Sequence, residues 1–102
     1  MEVVRHLVDE KPLVIFSKSS CYVSHSMKQL MRSYGANATV YELDEIPNGK
    51  EVEKVLLSMG NKPSVPTIFI GHKFAGGSKD ILTLQIQGKL VPLLIEAGAI
   101  WV

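Results

Sequence analysis

The sequence predicts an α/β fold with a four-stranded mixed sheet flanked by helices on both faces, in a single domain covering residues 1–102. Three observations predict it. The run Leu13-Val14-Ile15-Phe16 is continuously apolar, as expected of a strand buried on both faces. A helical stripe and then a β-branched, aromatic segment, Thr39-Val40-Tyr41-Glu42-Leu43, follow it and make a right-handed βαβ unit with parallel strands. Further on, Thr67-Ile68-Phe69-Ile70 and Lys73-Phe74-Ala75 are separated only by Gly71-His72, the pattern of an antiparallel hairpin. A parallel pair joined to a hairpin makes the sheet mixed.

Taken in order, Val3, Val4, Leu7 and Val8 recur at helical spacing and predict a short amphipathic helix in the first ten residues, ended by Pro12. After the first strand, the polar Ser17-Lys18-Ser19-Ser20 leads to Cys21. Val23, Met27, Leu30, Met31 and Tyr34 fall on one helical face, and Gly35 is the stop. Pro47-Asn48-Gly49 turns the chain from the second strand into a third helix, whose stripe is Val52, Val55, Leu56 and Met59, closed by Gly60. The third strand is approached through Pro63-Ser64-Val65-Pro66. Gly76-Gly77 breaks the fourth, and Ser78 or Asp80 caps a helix that runs through Gln87. Leu90, Leu93, Leu94 and Ala97 mark a last short helix, stopped by Gly98. The predicted order is α, β, α, β, α, β, β, α, α, without repeat, low-complexity tract or linker.

A chain of 102 residues supports one hydrophobic core and is too short for two. Lys+Arg 11 against Asp+Glu 10 gives no basis for nucleic acid or an anionic membrane as the main partner. No apolar run reaches the roughly 18 residues of a membrane span. Met1-Glu2-Val3-Val4-Arg5-His6 lacks the regions of a secretory signal, so an intact intracellular protein is expected. The single cysteine excludes an internal disulfide and any metal site built from several cysteines of one chain. A lone cysteine in a reducing compartment is either an inert, buried small hydrophobe or a reactive thiol. Its context decides.

Cys21 lies at the join between a buried strand and the next helix. In open α/β sheets, ligands bind outside the carboxyl ends of strands and against helix N-termini. Free N–H groups and the helix dipole there favour thiolate over thiol. A thiol with pKa about 8.5 is only a few per cent ionised at neutral pH, and lowering it three units takes roughly 4 kcal/mol. A helix terminus supplies up to about 2 kcal/mol, so other groups are needed. Lys18, on the same loop, and N–H···S bonds from Val23 and Ser24 are the sources at hand. Ser24 stands where a dithiol enzyme carries its second cysteine; its hydroxyl donates to sulfur but forms no disulfide. The plainer alternatives are a solvated loop charge for Lys18 and an ordinary first-turn residue for Ser24. His25 is expected to face solvent or pack, and His72 to sit in a turn. None of His6, His25 and His72 has the partner spacing of a zinc site.

Three segments in register resemble the glutaredoxins: Ser17-Lys18-Ser19-Ser20-Cys21-Tyr22-Val23-Ser24, Ser64-Val65-Pro66-Thr67-Ile68-Phe69-Ile70 and Gly76-Gly77-Ser78-Lys79-Asp80. The resemblance extends over nearly the whole chain and implies the thioredoxin fold. It is nearest to the land-plant CC-type class, through residues 40–45, residues 88–94 and the ending Ala97-Gly98-Ala99-Ile100-Trp101-Val102. Tyr22 replaces the second adjacent cysteine of that class, which leaves a monothiol Cys-Tyr-Val-Ser site. The last four residues are Ala-Ile-Trp-Val, where many members have Ala-Leu-Trp-Leu.

The resemblance implies a glutathione groove lined by Lys18, Cys21, Tyr22, Val65, Pro66, Gly77, Ser78, Lys79 and Asp80. A cis Pro66 would free the backbone of Val65 to pair with the cysteinyl part of glutathione. Backbone N–H groups of Gly77, Ser78 and Lys79 would hold the γ-glutamyl carboxylate, and Asp80 its ammonium group. Lys18 would take the glycyl carboxylate, with Asn61 or Lys62 helping. The implied activity is a monothiol, glutathione-dependent thiol–disulfide oxidoreductase that deglutathionylates proteins through Cys21. Its partners would be glutathione and glutathionylated proteins, with no direct contact to nucleic acid or membrane. It would be monomeric without a cluster and cytoplasmic, with the nucleus as a second location. Two alternatives stay open. Cys21 from each of two chains and two glutathione thiolates could hold a [2Fe–2S] cluster. Otherwise, Ile100-Trp101-Val102 could dock on transcription factors, making a redox-linked regulatory module, unless Trp101 covers the core.

Overall fold

The computed structural model describes residues 2–100 of the chain. Its elements follow the expected order: α1 (Glu2–Val8), β1 (Leu13–Ser17), α2 (Tyr22–Ser33), β2 (Thr39–Glu42), α3 (Gly49–Ser58), β3 (Thr67–Ile70), β4 (Lys73–Gly76), α4 (Ser78–Ile86) and α5 (Leu90–Glu96). The strands form one sheet in the order β2-β1-β3-β4. β1 runs parallel to β2, pairing Ile15 with Val40, and antiparallel to β3, pairing Ile15 with Ile68. β3 and β4 form the antiparallel hairpin across Gly71-His72, where His72 has φ +70°. This is the thioredoxin fold with its mixed sheet.

β1 is central, and all five of its residues are buried. Its alternate side chains feed two cores. Leu13 and Ile15 join Met27, Met31, Ile68, Ile81 and Leu94 under α2, α4 and α5. Val14 and Phe16 join Val4, Val8, Val52, Leu56 and Phe69 under α1 and α3. Burial of each such side chain stabilises the fold by about 1.5–3 kcal/mol, so both faces of β1 are anchored. Phe16 stacks on Tyr41 at 5.5 Å, and the Tyr41 hydroxyl donates to Leu7 O at 2.9 Å, tying α1 to the edge of the sheet.

The elements depart from their predicted form in four places. α1 stops at Val8, before Pro12, because Glu10 takes a left-handed φ of +63°. The buried face of α2 carries Ser24, Met27 and Met31, while Val23 is 47% exposed. In α5, Leu90 and Leu94 are buried, but Leu93 points outward. α4 ends at Ile86, and of the two expected caps Asp80 is the one used: Gly77 holds the cap position, and Asp80 Oδ2 accepts from the Gly77 N–H at 2.9 Å. A glycine offers no side-chain acceptor, so the carboxylate three residues on does the capping alone. At the C-terminus Ile100 is half-buried against the first core, and Trp101 and Val102, the rest of the expected docking tail, lie outside the described residues.

Candidate active site

Cys21 is the N-cap of α2. Its φ of −90° and ψ of 112° are extended, and its carbonyl accepts the first helical bond, from His25 N at 3.1 Å. The sulfur takes the place of the usual capping oxygen, accepting from Ser24 N at 3.4 Å. Upstream, Cys21 N donates to Lys18 O at 2.9 Å, which turns the chain sharply between β1 and α2. Asp44 braces the same turn: Ser19 N donates to its Oδ1 at 3.1 Å, and the Ser19 hydroxyl donates to Oδ2. Those two bonds hold the Asp44 carboxyl below its ordinary range.

Several groups bear on the thiol. Burial pushes its pKa up, but the Ser24 hydroxyl, the Ser24 and Val23 N–H groups and the charge of Lys18, in that order, outweigh burial and lower it. Ser24 is fully buried, and its hydroxyl has no hydrogen-bond partner among the described residues. Turning that proton onto an ionised sulfur satisfies both atoms, since a buried hydroxyl without a partner is costly. Cys21 itself is only partly buried, so the sulfur is both tuned and reachable.

The sulfur opens onto a cleft of about 440 Å³. Cys21 and Val23 form one wall, and the loop of Gly60, Asn61, Lys62 and Pro63 another. Val65 and Pro66 also line the cleft, as do Gly77, Ser78, Lys79 and Asp80 at the start of α4. Both Val65–Pro66 and Lys62–Pro63 are cis. Asn61 braces this loop: its Nδ2 donates to Pro66 O at 3.1 Å and to Thr67 Oγ1. Asn61 also approaches Gly77 so closely that a Cβ there would lie 2.8 Å from Asn61 Oδ1, so the loop and the start of α4 are locked together. At Gly76 a φ of +109° and a Cβ position 2.2 Å from Asp80 Oδ2 both require glycine.

Of the residues expected to line the groove, Cys21, Val65, Pro66, Gly77, Ser78, Lys79 and Asp80 share this cleft, with Asn61 and Lys62. Two stand elsewhere. Tyr22 is 89% exposed and borders a shallow depression on the other side of Cys21, with Ser19, Ser20 and His25. Lys18 lines a separate hollow beside α3, where its Nζ donates to Glu53 Oε2 at 2.6 Å. That oxygen also accepts from Ser64 Oγ at 2.6 Å. Sequence reasoning missed Glu53, whose only signal is its place beside the buried Val52 on α3. It also put Val23 on one helical face with Met27 and Met31, although only those two are buried there and Val23 lines the cleft. Among the described residues, no group of three or more His, Cys, Asp or Glu side chains gathers to hold a metal ion.

The model of the glutaredoxin family matches residues 13–75, which carry Cys21 and the Val65–Pro66 loop. Monothiol glutaredoxin-S6 of Arabidopsis thaliana is 57% identical over 102 residues, covering 100% of both chains. Monothiol glutaredoxin-S1 of the same plant is 52% identical over 102 residues, again covering 100% of both. Among solved structures, the buckwheat glutaredoxin–glutathione complex superimposes with a TM-score of 0.92 at 37% identity, covering 98% of this chain and 91% of that one. The holo form of glutaredoxin C1 from Populus tremula x tremuloides gives a TM-score of 0.88 at 33% identity, covering 97% and 89%. With its single cysteine capping α2 beside the Val65–Pro66 loop, the chain belongs to the glutaredoxin family.

Proposed function

We propose that the protein is a monothiol, glutathione-dependent oxidoreductase that removes glutathione from mixed disulfides. One observation carries this reading: the only cysteine is partly exposed, favoured as thiolate, and opens on a cleft bordered by helix-start donors. In the first step the Cys21 thiolate attacks the glutathione sulfur of a mixed disulfide. A new S–S bond forms to Cys21, the old one breaks, and the substrate leaves as a thiolate that takes a proton from water. In the second step a glutathione thiolate attacks the glutathione sulfur bound to Cys21, which forms glutathione disulfide and restores the Cys21 thiolate. The chain has one cysteine, so this external thiol is required.

The cleft offers partners for the tripeptide. The Val65 backbone can pair with the cysteinyl residue as an added strand. Ser78 and Lys79 carry first-turn N–H groups with no intrahelical acceptor, suited to the γ-glutamyl carboxylate. Asp80 spends one carboxylate oxygen on Gly77 N and keeps the other for the ammonium group. Attack at the glutathione sulfur, and not at the protein sulfur, follows from holding this half of the substrate. The similarity to the buckwheat glutaredoxin–glutathione complex supports the same reading.

Turnover with a glutathionylated peptide and glutathione should be measurable in the wild type and abolished in Cys21→Ser; undiminished activity in that variant overturns the proposal. The exposure of Cys21 leaves a [2Fe–2S] bridge as a second reading. A single chain does not fit such a cluster: it supplies one of four thiolates, and a second chain and two glutathiones must supply the others. Anaerobic reconstitution decides by visible absorption, a coloured dimer favouring the cluster and a colourless monomer the oxidoreductase.

A further inference from the structure

Glu53 lies on α3, outside the lining of the cleft, yet it binds two of the segments that build the site. Its Oε2 accepts from Lys18 Nζ at 2.6 Å and from Ser64 Oγ at 2.6 Å. Lys18 belongs to the turn that ends in Cys21, and Ser64 is buried between Pro63 and Val65, which line the cleft. The Lys18 and Glu53 side chains are 35% and 27% exposed, so water shields the pair only in part. Its two hydrogen bonds hold the Glu53 carboxyl below the ordinary range, which keeps it anionic at neutral pH. Lys18 accordingly borders the hollow beside α3 instead of the cleft. A lysine already answered by a carboxylate at contact distance offers little net charge to a second carboxylate.

We propose that Glu53 is a specificity-determining residue that withholds Lys18 from the glycyl carboxylate of a bound glutathione. The site then accepts γ-glutamylcysteinyl peptides whose glycyl end is neutral or extended about as well as it accepts glutathione itself. This rests on the glutathione reading given above. Lys62 also lines the cleft, but it is exposed, and its charge is screened by solvent. Lys18 is therefore the cation whose release would change the preference.

The test compares two symmetrical disulfides, that of glutathione and that of its glycyl ethyl ester, each buffered by its own thiol. The Cys21 thiolate attacks one sulfur, the mixed disulfide forms, and one thiolate is released; intact mass gives the equilibrium constant. The wild type should favour neither ligand by more than about twofold, as expected where a charge is already paired. Glu53→Gln should shift the ratio towards glutathione by about fivefold or more, through a lysine no longer neutralised. A structural role for Glu53 would move both constants together and leave their ratio alone. A fivefold preference for glutathione in the wild type, or a ratio unmoved in Glu53→Gln, overturns the inference while leaving the glutathione reading intact. If neither disulfide modifies Cys21, both fail. Should the variant not fold, the wild-type ratio decides alone.

Discussion

Replacing Ser24 with Ala removes the side-chain donor that does most to lower the Cys21 pKa. A hydrogen bond to a charged acceptor contributes about 1.5–3 kcal/mol. Sulfur is diffuse and Cys21 is partly exposed, so the lower end applies, equivalent to a rise of about one pKa unit. Below both midpoints the thiolate fraction then falls about tenfold. Each remaining thiolate is about threefold more nucleophilic, because reactivity in exchange rises with basicity. The rate of attack on a small neutral disulfide should therefore fall about threefold at low pH and rise about threefold above the midpoint, so the two pH profiles cross. Stability should respond with a definite sign. A depressed folded pKa contributes stability that is complete above the unfolded value and is lost as pH falls through the folded value. Ser24→Ala should thus be less stable by about 1.4 kcal/mol above pH 8.5 and show no loss in acid, where the deleted hydroxyl had no partner. An unmoved midpoint in a variant that melts normally would refute the contact between hydroxyl and sulfur.

The remaining predictions concern the frame of the site. Gly49→Ala should cost about 2–4 kcal/mol in urea denaturation, since the new Cβ would lie 1.8 Å from Leu43 O, a backbone atom. Asn61→Ala should cost about 1–3 kcal/mol and weaken glutathione binding, because Pro66 O and Thr67 Oγ1 lose their shared donor. Asp80→Ala should destabilise by about 0.5–2 kcal/mol through loss of the α4 cap, measured by the same denaturation. Glu53 has a depressed folded pKa, so its contribution is present above the ordinary carboxylate range and lost as pH falls through the folded value. Glu53→Gln should therefore flatten the fall in melting temperature between pH 7 and pH 3; an equally steep fall would contradict the Lys18 and Ser64 bonds.

What could be read from the sequence was whatever leaves a local period. The apolar run of β1, the βαβ unit and the hairpin at Gly71-His72 each declare themselves within a few residues, and all three stand in the fold. The position of Cys21 at a helix start was legible for the same reason: a buried strand, a polar loop and a helical stripe follow one another. Hydrophobicity misled at the next turn, where Val23 is turned outward to the cleft and the polar Ser24 is the buried one. The exchange suits the chemistry, which needs a donor beneath the sulfur and an apolar wall beside it. The destination of Lys18 was not legible. Its partner Glu53 is 35 residues away, on a helix whose stripe says nothing about its flank. Asp80 was picked out as a cap without its geometry, because the glycine that it serves has no side chain to signal the bond.

The most direct measurement is the ultraviolet titration of the single cysteine in the wild-type protein, following thiolate absorbance from acid to alkali. The predicted midpoint lies clearly below the value of about 8.5 of an unperturbed thiol, with Cys21→Ser giving a flat background. A midpoint at or above that value would mean that burial prevails over the Ser24 and Val23 donors, and would contradict a reactive Cys21 at neutral pH.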